Sequence, residues 1–164
     1  MNKDFSEKRR HKRYETEAKV YCFIKYDLKT KVKFQIIDKI RQTFSPRKYF
    51  AISKNIGVEG IGILCDHDLP VGTLLKLEVY VPGVKKPILM QGEVRWSAMN
   101  SSYEESLRKM GLGRYEIGIK LSMVDDQPVE PTIHFEDRYQ LEWSVVLESV
   151  LGSFRIEAQK RQTE

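Results

Sequence analysis

Five short runs between Tyr49 and Leu121 carry β-branched, aromatic and leucine side chains in strand-like fashion, and no helix-length periodic segment alternates with them. They are Tyr49–Ile52, Ile61–Leu64, Leu74–Val81, Ile88–Trp96 and Tyr115–Leu121. Turn chemistry separates them, with Pro70-Val71-Gly72 before the third run and Pro82-Gly83 after it. Parallel sheets need a crossover of a dozen residues or more between neighbouring strands, usually a helix. Short strands at this spacing, joined by proline and glycine turns, therefore predict a mainly β chain folded as a small antiparallel barrel or sandwich.

The flanking segments are read in the same way. Ala18 to Ile24 is rich in β formers and predicts a first strand. Residues 29–48 are ambiguous, because Val32, Phe34 and Ile36 alternate like a strand while Val32, Ile36, Ile40 and Phe44 recur like a helix. Ser101 and Ser102 each precede a glutamate by three residues, Glu104 and Glu105. This capping-box pattern predicts a short helix to about Met110, between the last two strands. Beyond an acidic linker with Pro128 and Pro131, the residues Phe135, Tyr139, Trp143, Val146, Val150 and Phe154 recur at helical spacing. They predict a C-terminal helix that closes the barrel, with a homodimer seam as the alternative. The division is a flexible basic arm at 1–15, a β-barrel domain at 16–124 with an insertion at 29–48, and the acidic linker and C-terminal helix at 125–164.

A chain of 164 residues with 41% hydrophobic side chains can bury one modest core. No apolar run approaches the ~20 residues that span a bilayer, and the first residues lack the apolar centre of a signal peptide, so the expectation is a cytoplasmic protein without membrane insertion. Cys22 and Cys65 form neither a metal-ligand spacing nor a disulfide framework. His11, His67 and His134 are scattered, and Asp66-His67-Asp68 before Leu69-Pro70 reads as a polar turn. With no nucleophile elbow, P-loop, Rossmann fingerprint or zinc pattern, neither an enzyme nor a metal or cofactor is expected.

Charge is unevenly spread. Residues 1–13 hold six basic and two acidic side chains, residues 29–48 seven basic and one acidic, and residues 125–164 nine acidic and four basic. A positive front suits an anionic ligand. Within that front, Arg9, Arg10 and Arg13 place guanidinium forks on a flexible arm. Such forks donate paired hydrogen bonds to guanine O6 and N7, stack on purines and neutralise phosphate. Asn55-Ile56-Gly57-Val58-Glu59-Gly60 supplies an amide that can read a base edge and two glycines where a ligand could approach the main chain.

Arg9-x-x-x-Arg13 followed by Asn55-x-Gly57-x-x-Gly60, with strands after it, resembles the PilZ family of bacterial cyclic di-GMP receptors over roughly residues 8–121. In that family the second motif is Asp or Asn, any residue, Ser, two residues, then Gly. Arg9, Arg13, Asn55 and Gly60 match, Arg10 is the extra basic residue often seen beside the first motif, and Gly57 stands where the family has serine. The resemblance implies a six-stranded barrel and a cyclic di-GMP site formed by Arg9, Arg10, Arg13, Asn55, Gly57 and Gly60. It further implies a receptor in second-messenger signalling that orders its arginine arm over the ligand and signals to a partner protein. The missing serine leaves room for a degenerate domain acting purely as an interaction module. A third reading, a small barrel binding RNA or single-stranded DNA through its basic front, is not favoured by the sequence, which identifies no exposed aromatic platform.

Overall fold

The computed structural model describes residues 26–41, 43, 45–100 and 113–152. The arm with Arg9, Arg10 and Arg13, the strand expected at Ala18–Ile24, the helix expected from Ser101 and the residue Phe154 lie outside the described residues.

Six antiparallel strands form the wall of a closed barrel: β2 (Lys31–Ile37), β3 (Tyr49–Ile56), β4 (Gly60–Cys65), β5 (Leu74–Tyr80), β6 (Ile88–Met99) and β7 (Tyr115–Val124). The short β1 (Tyr26–Asp27) and β8 (Gln127–Pro128) lengthen the edges of β3 and β7. Around the ring the order is β3-β2-β5-β6-β7-β4, and pairing of β3 with β4 closes it. Closure leaves none of these six with an unpaired edge along its whole length.

Alternation decides which side chains face inward. Val32 and Phe34 of β2, Ile61, Ile63 and Cys65 of β4, Leu75, Leu77 and Val79 of β5, and Ile117, Ile119 and Leu121 of β7 are buried in one core. Among the described residues of 29–48, Lys31–Ile37 is therefore a wall strand, beyond which the Asp38 N–H donates to the Thr43 carbonyl at 2.8 Å. The helical spacing in that stretch was fortuitous, since Val32, Ile36 and Ile40 recur at four residues, a multiple of the strand period. The proline–glycine signals form the turns expected of them. Gly83 follows Pro82 at φ 83°, and the Val84 N–H donates to the Val81 carbonyl at 3.1 Å. Proline presets φ at the first central position of such a turn, and glycine tolerates positive φ at the second.

The tail corrects one expectation. Residues from Phe135 do not start a helix: His134–Glu136 (β9) and Leu141–Trp143 (β10) pair as a small hairpin. Its turn needs Gln140 at φ 56°, outside helical space. Phe135, Tyr139 and Trp143 also lie four apart, a spacing that both periods satisfy, which is why the helix looked longer than it is. The preceding linker likewise contains β8 and a 3₁₀ turn at Glu130–Thr132. Helix α1 occupies 145–152 among the described residues. Its Val146, Leu147 and Val150, together with Trp143, are buried in the barrel's own core. This part of the apolar stripe packs on its own domain, as barrel closure requires.

Candidate ligand-binding site

Asn55, Gly57 and Gly60 occupy one hairpin. Asn55 sits near the end of β3, Gly57 opens the turn and Gly60 starts β4. The Gly57 N–H donates to the Gly60 carbonyl at 2.8 Å, and the Glu59 carbonyl accepts from the Leu121 N–H of β7 at 2.8 Å. The Val58 carbonyl accepts from the Ser144 hydroxyl. The turn is thus tied to itself, to a wall strand and to the start of α1.

The two glycines differ. A Cβ at Gly60 would lie 3.0 Å from the Ile119 carbonyl oxygen, so a side chain there would press on the backbone of β7. At Gly57 a Cβ would meet only the Gly60 oxygen at 4.0 Å, and the residue is not in the left-handed region. Glycine at that position is dictated neither by space nor by backbone conformation.

Sequence reasoning missed the other half of the site. Asn55 pairs with Gly62 on β4, Gly62 with Gly118 on β7, and Gly118 with Trp96 on β6. These four residues form one row across four strands. They lie on the outer wall, since Gly62 alternates with the buried Ile61 and Ile63, and Gly118 with the buried Ile117 and Ile119. The Asn55 amide covers Gly62, where a Cβ would fall 2.7 Å from Oδ1. The Trp96 indole covers Gly118, where a Cβ would fall 2.1 Å from Nε1.

Both flanking side chains follow an irregularity in the ladder. The register shifts between Ser53 and Asn55 on β3, and again between Val94 and Trp96 on β6. Bulges re-aim side chains beside binding sites, and here they turn an amide and an indole toward a shared glycine floor. Trp96 keeps 42% of its surface exposed. In the neighbouring row, Lys54 of β3 and Glu116 of β7 form an ion pair over the wall. The available signals were two glycines inside strand runs, which mark a bulge or a close approach, but cross-strand register alone brings them beside Asn55.

The arrangement offers a flat aromatic face and an amide able to donate and accept, set in one row over two glycines that they bury. This chemistry suits a planar heterocycle. The remaining polar residues considered from the sequence are engaged elsewhere. Asp68 accepts from the Ser97 hydroxyl at 2.7 Å, Asp66 faces Arg114 Nε at 3.5 Å, and the His67 ring meets Tyr49 edge-on at 4.7 Å. No group of three side chains among the described residues could hold a metal ion, and no helix among them is long and apolar enough to cross a membrane.

No curated protein and no solved structure matches the chain. A family model described as PilZ domain matches residues 7–131, a span that takes in the arginine motif, the Asn55–Gly60 turn and both flanks of the glycine floor. With its six-stranded barrel and its match over most of its length, the chain belongs to the PilZ domain family.

Proposed function

We propose that the chain is a cytoplasmic receptor for cyclic di-GMP, the ligand that PilZ domains generally bind. The observation that carries the reading is the row Asn55-Gly62-Gly118-Trp96 beside the Gly57–Gly60 turn. It presents an indole face for a guanine to stack on and an amide for a base edge. Arg9, Arg10 and Arg13 would approach from the arm and close over the ligand, holding guanine edges and phosphates through charge-assisted hydrogen bonds. Ordering the arm would cost about 1 kcal/mol per residue fixed, which the charge-assisted contacts must exceed, and the ordered arm would be the signal to a partner protein. Binding without turnover is the expected chemistry.

Gly57 sets the strength. Its N–H is committed to the Gly60 carbonyl, so that donor does not replace the serine hydroxyl of the family motif, and affinity should be modest. The test is calorimetric titration of the full chain with cyclic di-GMP, with GTP and cyclic di-AMP as controls. Saturable heat with cyclic di-GMP alone supports the receptor. Absence of heat with a folded protein would leave a domain that works purely by protein contacts.

A further inference from the structure

The opposite side of the barrel carries a second arrangement, on the wall made by β3, β2 and β5. Lys33 of β2 lies across from Phe50 of β3 on one side and Glu78 of β5 on the other, and Lys31 lies across from Ile52 and Tyr80. All face outward, because the alternating Val32, Phe34, Leu77 and Val79 fill the core. The Lys33 ammonium sits 5.5 Å from the Phe50 ring centroid and 5.4 Å from that of Tyr80. Even so, Phe50 remains 53% exposed.

The carboxylate on this wall is already engaged. Glu78 accepts from Lys48 Nζ at 3.0 Å and from the Tyr80 hydroxyl at 3.1 Å. With Glu78 taken up by Lys48, Lys31 and Lys33 leave the wall positive beside its two rings.

We propose that this β3-β2-β5 wall binds single-stranded nucleic acid, with bases stacked on Phe50 and Tyr80 and the backbone tracked by Lys31 and Lys33. A single strand presents π-faces and phosphates alternately, and sites for it combine a cationic groove with aromatic platforms. An acidic peptide would use the lysines but leave the rings idle. A bilayer would favour apolar groups at a protruding tip over rings set among cations on a strand face. Duplex DNA hides its base faces, so the rings have no use for it.

The experiment is fluorescence anisotropy of the full chain with a fluorescein-labelled fifteen-nucleotide oligo(dT), beside the same strand annealed to its complement. Saturable binding of the single strand in preference to the duplex is expected. Phe50→Ala should weaken it roughly tenfold, the loss of one stacked base. Lys33→Glu should weaken it further and flatten its salt dependence. Both positions face solvent, and unchanged melting temperatures would verify that the variants fold. Arg9→Ala and Arg13→Ala should leave oligonucleotide binding in place. The proposal is overturned by no binding, by equal binding of the duplex, or by binding that survives Phe50→Ala and Lys33→Glu. It is equally overturned if phosphatidylglycerol vesicles or a poly-glutamate peptide bind with the same dependence on Phe50. None of these outcomes bears on cyclic di-GMP, which is titrated separately.

Discussion

The Ser144 hydroxyl donates to the carbonyl of Val58, joining residues 86 positions apart in the chain. The same oxygen accepts from the Val146 N–H at 3.1 Å and so caps α1. One buried side chain therefore both starts the C-terminal helix and holds the turn between Gly57 and Gly60. The Ser144 oxygen is thus one direct link between that turn and the helix that carries Val146 and Val150 into the core.

Ser144→Ala should cost about 1–2 kcal/mol of stability, since it removes a helix cap and leaves the Val58 carbonyl without its donor. Urea denaturation gives the size of the loss. Hydrogen exchange gives its distribution: amides of α1 and of residues 57–60 should lose protection together, while those of β5 keep theirs. Loss confined to the helix would show that the turn is not mechanically tied to it.

Arg9→Ala or Arg13→Ala should each weaken cyclic di-GMP binding by about 2 kcal/mol or more, roughly thirtyfold, with the melting temperature unchanged. Titration calorimetry and thermal denaturation measure the two quantities. A variant that binds as tightly as the parent removes its arginine from the ligand clamp.

Gly57→Ser should fold as stably as the parent, because the position has room for a Cβ and no left-handed backbone. If the hydroxyl reaches a phosphate, affinity for cyclic di-GMP should rise by about 1.5–3 kcal/mol, or ten- to a hundredfold. Paired measurements of affinity and melting temperature check both halves. Unchanged affinity at unchanged stability would place the ligand away from this residue.

Gly118→Ala tests the glycine floor. The new methyl would occupy the space of the Trp96 indole, so the ring must leave its place over β7. Weaker cyclic di-GMP binding is expected, close to that of Trp96→Ala, and the double variant should lose little more than either single one. Additive losses would mean that the two residues act independently.

Burial pushes the Cys65 thiol up to about 11, with the charges of Asp66 and Asp68 adding to the shift. A raised pKa means that the folded state holds this proton more tightly than the unfolded chain does. The associated stability is complete below the ordinary value of 9.0 and is lost as pH rises toward about 11. In a Cys22→Ser background, urea midpoints should fall across that interval. Cys65→Ala, which has no thiol to ionise, should show a shallower fall.

Much of the barrel was legible because inward and outward residues alternate cleanly. Leu75, Leu77 and Val79 announce a strand without reference to any neighbour, and Pro82-Gly83 announces its turn. The tail was not, because Phe135, Tyr139 and Trp143 satisfy two periods at once and only the positive φ at Gln140 separates them. Half of the candidate site was equally opaque. Asn55 and Gly60 share one local motif, whereas Trp96 and Gly118 join them through pairing registers and two bulges, quantities that belong to strand pairs and not to any single segment.

The chain has two tryptophans, and the fold assigns them opposite surroundings. Trp143 is 8% exposed, with its indole N–H bonded to Glu148 at 3.0 Å, while Trp96 lies open on the glycine floor. Their emission should therefore separate by wavelength, Trp96 at the red edge and Trp143 to the blue. A Trp143→Phe variant would leave a single native fluorophore in the wall, where a stacking guanine would quench it and the opposite face of the barrel would remain dark to it. The protein carries its own optical gauge of occupancy, and no label is needed to read it.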